Sequence, residues 1–265
     1  MVPLGLLVWM SLNKWPILAD PTFNAPDNYT AIRDNQLFTD AVTFTLKYTV
    51  VITIVLSLVA LGLALLVQHA RPGVSFFRTA FFLPGAIGLA ATSILALGFL
   101  NGRFGPIDPL LMDLGITDEP IAWVGTPNMA LFSTVVMVTW RFAGFNMLIL
   151  LVGLNGIPLE VYEAARVDGA GRWQTFTKIT LPLLRPTIAL MLIISITGSL
   201  VAFDQFFIFT RGRPDNSTIS VVMVIFREAF VRNDLGSAAA LSAVLLAALL
   251  LLNVFLLRVL RRREA

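Results

Sequence analysis

The sequence predicts an all-α membrane protein with six transmembrane helices, the first short or truncated, and a helix-turn-helix loop protruding from one face. Three observations lead there. Of 265 residues, 57% are hydrophobic and 13% charged, a balance outside that of ordinary soluble domains and suited to a chain solvated mainly by lipid. Five apolar stretches reach the roughly 20 residues a helix needs to cross the hydrocarbon. None alternates with the period of a strand, and backbone groups in lipid find no water, so these stretches must be helices. The third observation is a polar, glycine-broken loop, 155–186, between two of the spans.

Met1–Leu12 is apolar but covers only part of the hydrocarbon thickness. It lacks the basic region and small-residue cleavage site of a signal peptide, so it reads as the end of a first helix that starts upstream. The full spans follow as Tyr48–Gln68, Thr79–Leu100, Met129–Leu154, Thr187–Phe209 and Ala238–Leu260. Pro84, Gly85 and Gly88 predict a kink in the second of these. The whole chain, 1–265, reads as one transmembrane domain. With six spans, the segment His69–Ser75, the loop 155–186 and the C-terminal tail share a side. That side and its flanks hold ten basic residues against eight opposite, and the cluster Arg261, Arg262, Arg263 marks it as the inside. Both termini are therefore expected in the cytoplasm.

Within the loop, Pro158 opens a helix at a position where a missing amide hydrogen costs little, and Glu160 lies near the positive end of its dipole. The helix should run to about Val167. Asp168-Gly169-Ala170-Gly171 then breaks it. A second helix is expected over Arg172–Ile179, with Trp173, Phe176 and Lys178 giving it a mixed surface, before Pro182 and Pro186 return the chain to the membrane.

Much chemistry is excluded. There are no cysteines, hence no disulfide or thiolate metal site, and the lone histidine, His69, stands at a helix end. The net charge of +3 follows from the inside arginines and gives no reason to expect nucleic acid binding. No glycine precedes a lysine, so no Walker A phosphate loop can be assembled. The chain should hydrolyse no ATP itself, bind no cofactor and catalyse no reaction.

Polar groups inside spans tend to face a cavity or a neighbouring helix. Arg141, beside Trp140 and Phe142, fits an interhelical ion pair and a cavity role equally. Ser195, Ser199 and Phe203 recur at i, i+4 and i+8 beside Gly198, forming one helix face with hydroxyls, a ring and a small surface. Such a face suits a sugar, and it also suits helix packing. Asp204 caps that face, is solvated, or pairs with Arg211 or Arg213; pairing is the favoured reading. Asn253 reads as interhelical glue.

The stretch Glu163–Pro182, EAARVDGAGRWQTFTKITLP, resembles the cytoplasmic coupling motif of ABC importer permeases at each defining position: Glu163, Ala164, Ala165, Gly169, Ile179, Leu181 and Pro182. Further landmarks resemble the carbohydrate group, similar to the maltose and glycerol-phosphate transporter permeases. They are Asn28-Tyr29, Phe77-Arg78-Thr79, Leu83-Pro84, Trp140, Phe203-Asp204, Thr210, Pro214, Ala229-Phe230 and Leu235–Ala240. Arg213 stands where a second glycine is usual. The resemblance implies a bacterial inner-membrane subunit working with a second homologous permease, an external solute-binding protein and two ATPase subunits that use ATP and Mg. It implies that Arg166, Asp168 and Trp173 take part in ATPase coupling with the motif residues. It also puts Val138, Trp140, Arg141 and Phe142, with Gly198, Ser199 and Ala202, at a substrate cavity. Val138 and Ala202 are apolar where the maltose transporter has amides, so a maltose-identical site is not implied. An importer for glycerol phosphate or a polyamine is the alternative. A secondary transporter would need membrane carboxylates, and the spans offer none away from Asp204.

Overall fold

The structure, a computed structural model, describes residues 2–16, 20–69 and 71–261, so Arg262 and Arg263 of the basic cluster lie outside the described residues. Apart from one two-stranded ribbon, Asn13–Lys14 paired antiparallel with Thr22–Phe23, the regular structure is helical. In order the helices are α1 (Val2–Ser11), α2 (Asp27–Arg33), α3 (Gln36–Val67), α4 (Val74–Phe82), α5 (Leu89–Phe99), α6 (Ile107–Asp113) and α7 (Pro127–Asn155). There follow α8 (Leu159–Val167), α9 (Arg172–Thr175), α10 (Leu181–Leu183), α11 (Arg185–Leu200), α12 (Val221–Phe230) and α13 (Leu235–Arg261). Among the described residues, α3, α7, the stretch Arg185–Thr210 and α13 are long and apolar enough to cross a membrane.

The sequence places these spans correctly and misjudges their edges. Helix α3 starts well before Tyr48, at Gln36, because the Asn35 side chain caps it by accepting from the Phe38 amide at 3.1 Å, while its first turns carry polar residues that apolarity alone passes over. The expected kink is a break. Helix α4 with its 3-10 extension Leu83–Ala86 meets α5 at 96°, because Ile87 and Gly88 are extended (ψ 133° and 145°). Counting that bent pair as one span gives five. Helix α1, at ten residues, is too short to cross alone and packs on α13.

The chain alternates between two ends. At one end Arg78 of α4 caps α3, donating from Nε to the Val67 carbonyl at 3.0 Å. Leu154 at the end of α7 and Leu184 just before α11 share a buried cluster with Val67 there. At the other end Lys47 approaches Asn128 (3.4 Å), and the Leu235 amide bonds the Trp15 carbonyl (3.2 Å), holding the start of α13 to the segment after α1. Asn28 is buried at that junction, donating to the carbonyls of Ser11 and Asn13, both at 2.9 Å. Tyr29 adds a bond to the Ser11 hydroxyl at 2.7 Å. This explains the Asn28-Tyr29 landmark: the pair fastens α1, α2 and the ribbon together.

The interior is built on α3 against α7. Phe44, Tyr48 and Phe206 interlock edge-on, with centroids 4.9 and 5.1 Å apart for the pairs with Phe206. The broken span reaches α7 at Gly144, where a Cβ would fall 2.7 Å from Phe82 Cα and closer still to the Phe81 carbonyl. Only glycine lets the two backbones approach so closely.

Candidate functional site

A cavity of about 330 Å³ opens between α3, the start of α5, α7 and α11. Its origin is local. Helix α11 unwinds after Leu200, and helical structure resumes at Asp204 and continues as a π-helical turn at Gln205–Thr210, so Val201–Phe203 become wall instead of helix. The opened segment is held from behind, with Ser220 Oγ donating to the Ala202 carbonyl at 2.7 Å. Ser199 Oγ donates to Ile196 O (2.8 Å) and shares a hydrogen bond with Thr49 Oγ1 (3.0 Å), Ser195 Oγ donates to Asn146 Oδ1 (3.2 Å), and Gln205 Nε2 to Tyr48 Oη (3.2 Å). Two polar atoms of the lining residues, Thr53 Oγ1 and Gln205 Oε1, are buried with no hydrogen-bond partner among the described residues. The rings of Tyr48, Phe142, Phe145 and Phe203 form much of the remaining wall, and among the described residues Asp204 is its only charged one. Such a space suits a ligand with hydroxyls on its edges and apolar faces between them.

The structure brings together Phe142, Ser195, Gly198, Ser199, Ala202, Phe203 and Asp204, with Val138 beside them. It does not bring Trp140 or Arg141 into that wall. Trp140 is 51% exposed, away from the cavity, and the Arg141 guanidinium lies 4.4 Å from the centre of the Phe142 ring, a cation–π contact. Neither Arg141 nor Asp204 forms an ion pair among the described residues, where the one salt bridge is Arg232–Glu228 at 2.8 Å. The favoured pairing of Asp204 with Arg211 or Arg213 is thus corrected. Asp204 stands in the cavity wall, while Arg213 turns back to close the turn after the π segment, its amide bonding the Thr210 carbonyl at 2.9 Å. Tyr48, Thr53, Asn146 and Gln205 also line the cavity and were not expected. A signal for the α3 wall exists in the sequence: Thr45, Thr49, Thr53 and Ser57 recur every four residues and put one hydroxyl stripe on an otherwise apolar helix.

At the end of the bundle where α3 and α7 finish, α8 and α9 form a hairpin. Pro158 precedes α8, Glu160 lies in its first turn and Arg166 in its last, each complementing the helix dipole. Gly169 takes a left-handed conformation (φ 74°), and the amides of Asp168, Gly169 and Ala170 close the helix onto the carbonyls of Ala164, Arg166 and Ala165. The Gln174 side chain accepts from the Gly171 amide at 3.2 Å and starts α9. Helix α9 does not stop at Ile179 as expected. It passes through a π turn, Phe176–Thr180, into α10 and α11, because Pro182 supplies no amide hydrogen and the ladder must shift around it. Ala165 is buried, and Ile179, Leu181 and Pro182 are half-buried at the foot of the hairpin. Glu163, Ala164, Arg166, Asp168 and Gly169 are exposed, as are Val167 (88%) and Trp173 (73%). The hairpin is therefore fixed at its base and open along its outer edge. No group of three metal-ligating side chains occurs among the described residues.

Residues 49–264 match the family described as the binding-protein-dependent transport system inner membrane component. The chain belongs to this family, the permeases of ABC transporters. Among its relatives, the permease is 28% identical over 265 residues to the Probable starch degradation products transport system permease protein AmyD of Thermoanaerobacterium thermosulfurigenes, covering all of this chain and 89% of that one. It is 32% identical to the sulfoquinovosyl glycerol transport system permease protein SmoG of Agrobacterium fabrum, over 90% of this chain and 77% of the relative. The fold superposes on a chain of a bacterial ABC transporter involved in alginate import with a TM-score of 0.85, at 22% identity, covering 97% of the permease and 89% of that chain.

Proposed function

We propose that the permease forms half of the translocation pathway for a sugar or oligosaccharide, delivered by an external solute-binding protein and driven by separate ATPase subunits. The observation that carries the sugar is the cavity: a largely apolar, aromatic lining holds a few hydroxyl and amide side chains (Thr53, Asn146, Ser195, Ser199, Gln205), with no basic residue in it among the described residues. The names of the relatives, starch products and a sulfosugar glycerol conjugate, support the same class. A second homologous permease supplies the other half of the pathway. The ATP and Mg belong to the two ATPase subunits, and this chain performs no catalysis.

The hairpin is the coupling element. Glu163, Ala164, Arg166, Asp168, Gly169 and Trp173 present it to an ATPase subunit, Ala165 packs the helix that carries them onto its base, and Ile179, Leu181 and Pro182 transmit the movement into α11. That helix carries Ser195, Gly198 and Ser199, and the segment directly beyond it carries Ala202, Phe203 and Asp204, so force on the hairpin reaches the cavity wall through α11. Closure of the ATPases shifts the population from inward- to outward-facing, and hydrolysis resets it. Trp140 and Arg141 lie outside the cavity wall of this chain and face the second permease. Both termini and the hairpin are cytoplasmic, in a bacterial inner membrane.

The test is uptake of labelled oligosaccharide into liposomes containing the assembled importer. Transport should require binding protein and internal ATP, and Glu163→Lys should abolish it while the cavity residues stay intact. Uptake that is unaltered by Glu163→Lys and independent of ATP would remove the proposal.

A further inference from the structure

A second cleft, of about 820 Å³, lies between the end of α3 and the inner side of the α8–α9 hairpin. Its wall includes His69, Arg71, Tyr162, Arg166, Arg172 and Thr175 and, among the described residues, no aspartate or glutamate. None of the three arginines forms an ion pair among the described residues. The faces of α8 are divided: Tyr162 and Arg166, one turn apart, line the cleft, whereas Glu163, Ala164 and Val167 do not. Helices α3 and α7 end here, at Val67 and Asn155, and the next membrane-length stretch begins at Arg185, so the cleft lies at the ends of the membrane-length helices.

We propose that this cleft is a binding site for a phosphate-bearing anion, carried by an anionic phospholipid headgroup or free in solution. Guanidinium groups that line one cleft without a carboxylate favour the entry of an anion, and each can grip phosphate oxygens in a fork. The Tyr162 and Thr175 hydroxyls add uncharged donors. Basic pockets at the ends of transmembrane helices take acidic headgroups for this reason. The volume falls within the roughly 300–1,000 Å³ of small-molecule sites. Occupancy would brace the inner side of the hairpin and leave Glu163, Ala164 and Val167 free; Arg166 is shared with the coupling role, whereas Arg71 lies outside the hairpin and Arg172 is not a coupling residue.

The experiment is native mass spectrometry of the full chain in detergent, titrated with phosphatidylglycerol, phosphatidylcholine and inorganic phosphate. The parent should retain phosphatidylglycerol over phosphatidylcholine. Loss of each arginine should weaken retention roughly five-fold, or about 25-fold for Arg71→Gln with Arg172→Gln. Arg33→Gln with Arg103→Gln, the same charge change far from the cleft, should leave it unaltered. If the double variant does not give a folded, monodisperse species, Arg71→Gln alone tests the same point at about five-fold. Failure of inorganic phosphate to displace the lipid identifies the headgroup as ligand, and displacement identifies a soluble phosphate; either upholds the site. Equal retention of both lipids, equal retention by parent and cleft variant, or equal loss in the remote variant overturns it.

Discussion

Replacing Gly144 by alanine tests the close approach on which the broken span depends. The added Cβ would stand 2.7 Å from Phe82 Cα, against 3.4 Å for ordinary contact, so this backbone must retreat by at least 3.4 − 2.7 = 0.7 Å. The Phe81 carbonyl, which is closer, must move further. Neither atom belongs to a side chain that could rotate away. Forced overpacking of this kind costs about 1–3 kcal/mol. At roughly 2–4 °C per kcal/mol for a chain of this size, the apparent melting midpoint should fall by roughly 2–12 °C. The five tryptophans provide a fluorescence readout in detergent. Gly198→Ala is the internal control, since a Cβ there meets nothing within 4 Å, and its midpoint should stay within about 1 °C of the parent. A Gly144→Ala protein as stable as the parent, or a Gly198→Ala protein that loses as much, would refute the packing of α4 on α7.

Asn28→Ala should lower the same midpoint by roughly 2–8 °C, since it leaves the Ser11 and Asn13 carbonyls unbonded at a buried junction at about 1–2 kcal/mol. Ser195→Ala should raise the KM for transported sugar roughly 2- to 10-fold in the reconstituted uptake assay, as expected for one lost hydroxyl bond, with assembly unchanged. Asn253→Leu removes the bond that Thr197 Oγ1 donates at 3.1 Å between α11 and α13. At about 0.6 kcal/mol for an interhelical bond in lipid, it should lower the melting midpoint by only roughly 1–3 °C.

The spans were legible because lipid imposes one rule on every residue of a crossing helix. The six expected crossings reduce, on length and apolarity, to four plus the bent pair, with α1 set beside them. What escaped the sequence reading obeys other rules. The amphipathic helices α2, α6 and α12 are too short to produce a hydropathy signal, and Asn35 extends α3 by a cap that hydropathy does not register. The break at Val201–Phe203 precedes a π turn, and nothing in Phe203-Asp204-Gln205 announces one. Much of the cavity face of α11 was legible from the four-residue spacing of Ser195, Ser199 and Phe203. On α7, Val138 and Phe142 follow from the family resemblance while Asn146 does not, and the α3 wall leaves its trace in the Thr45–Ser57 hydroxyl stripe. Arg141 was weighed by charge alone, and the structure gives it a ring instead of a carboxylate.

The central claim, that the hairpin docks on a separate ATPase, is tested most directly by cross-linking. The chain has no cysteine, so Val167→Cys, on the exposed outer edge of α8, provides a unique thiol. In the assembled importer it should cross-link to an ATPase subunit and become protected from a water-soluble maleimide, with a yield that changes when ATP is added. A thiol that labels equally with and without the ATPase, and forms no cross-link while sugar uptake proceeds, would contradict the claim.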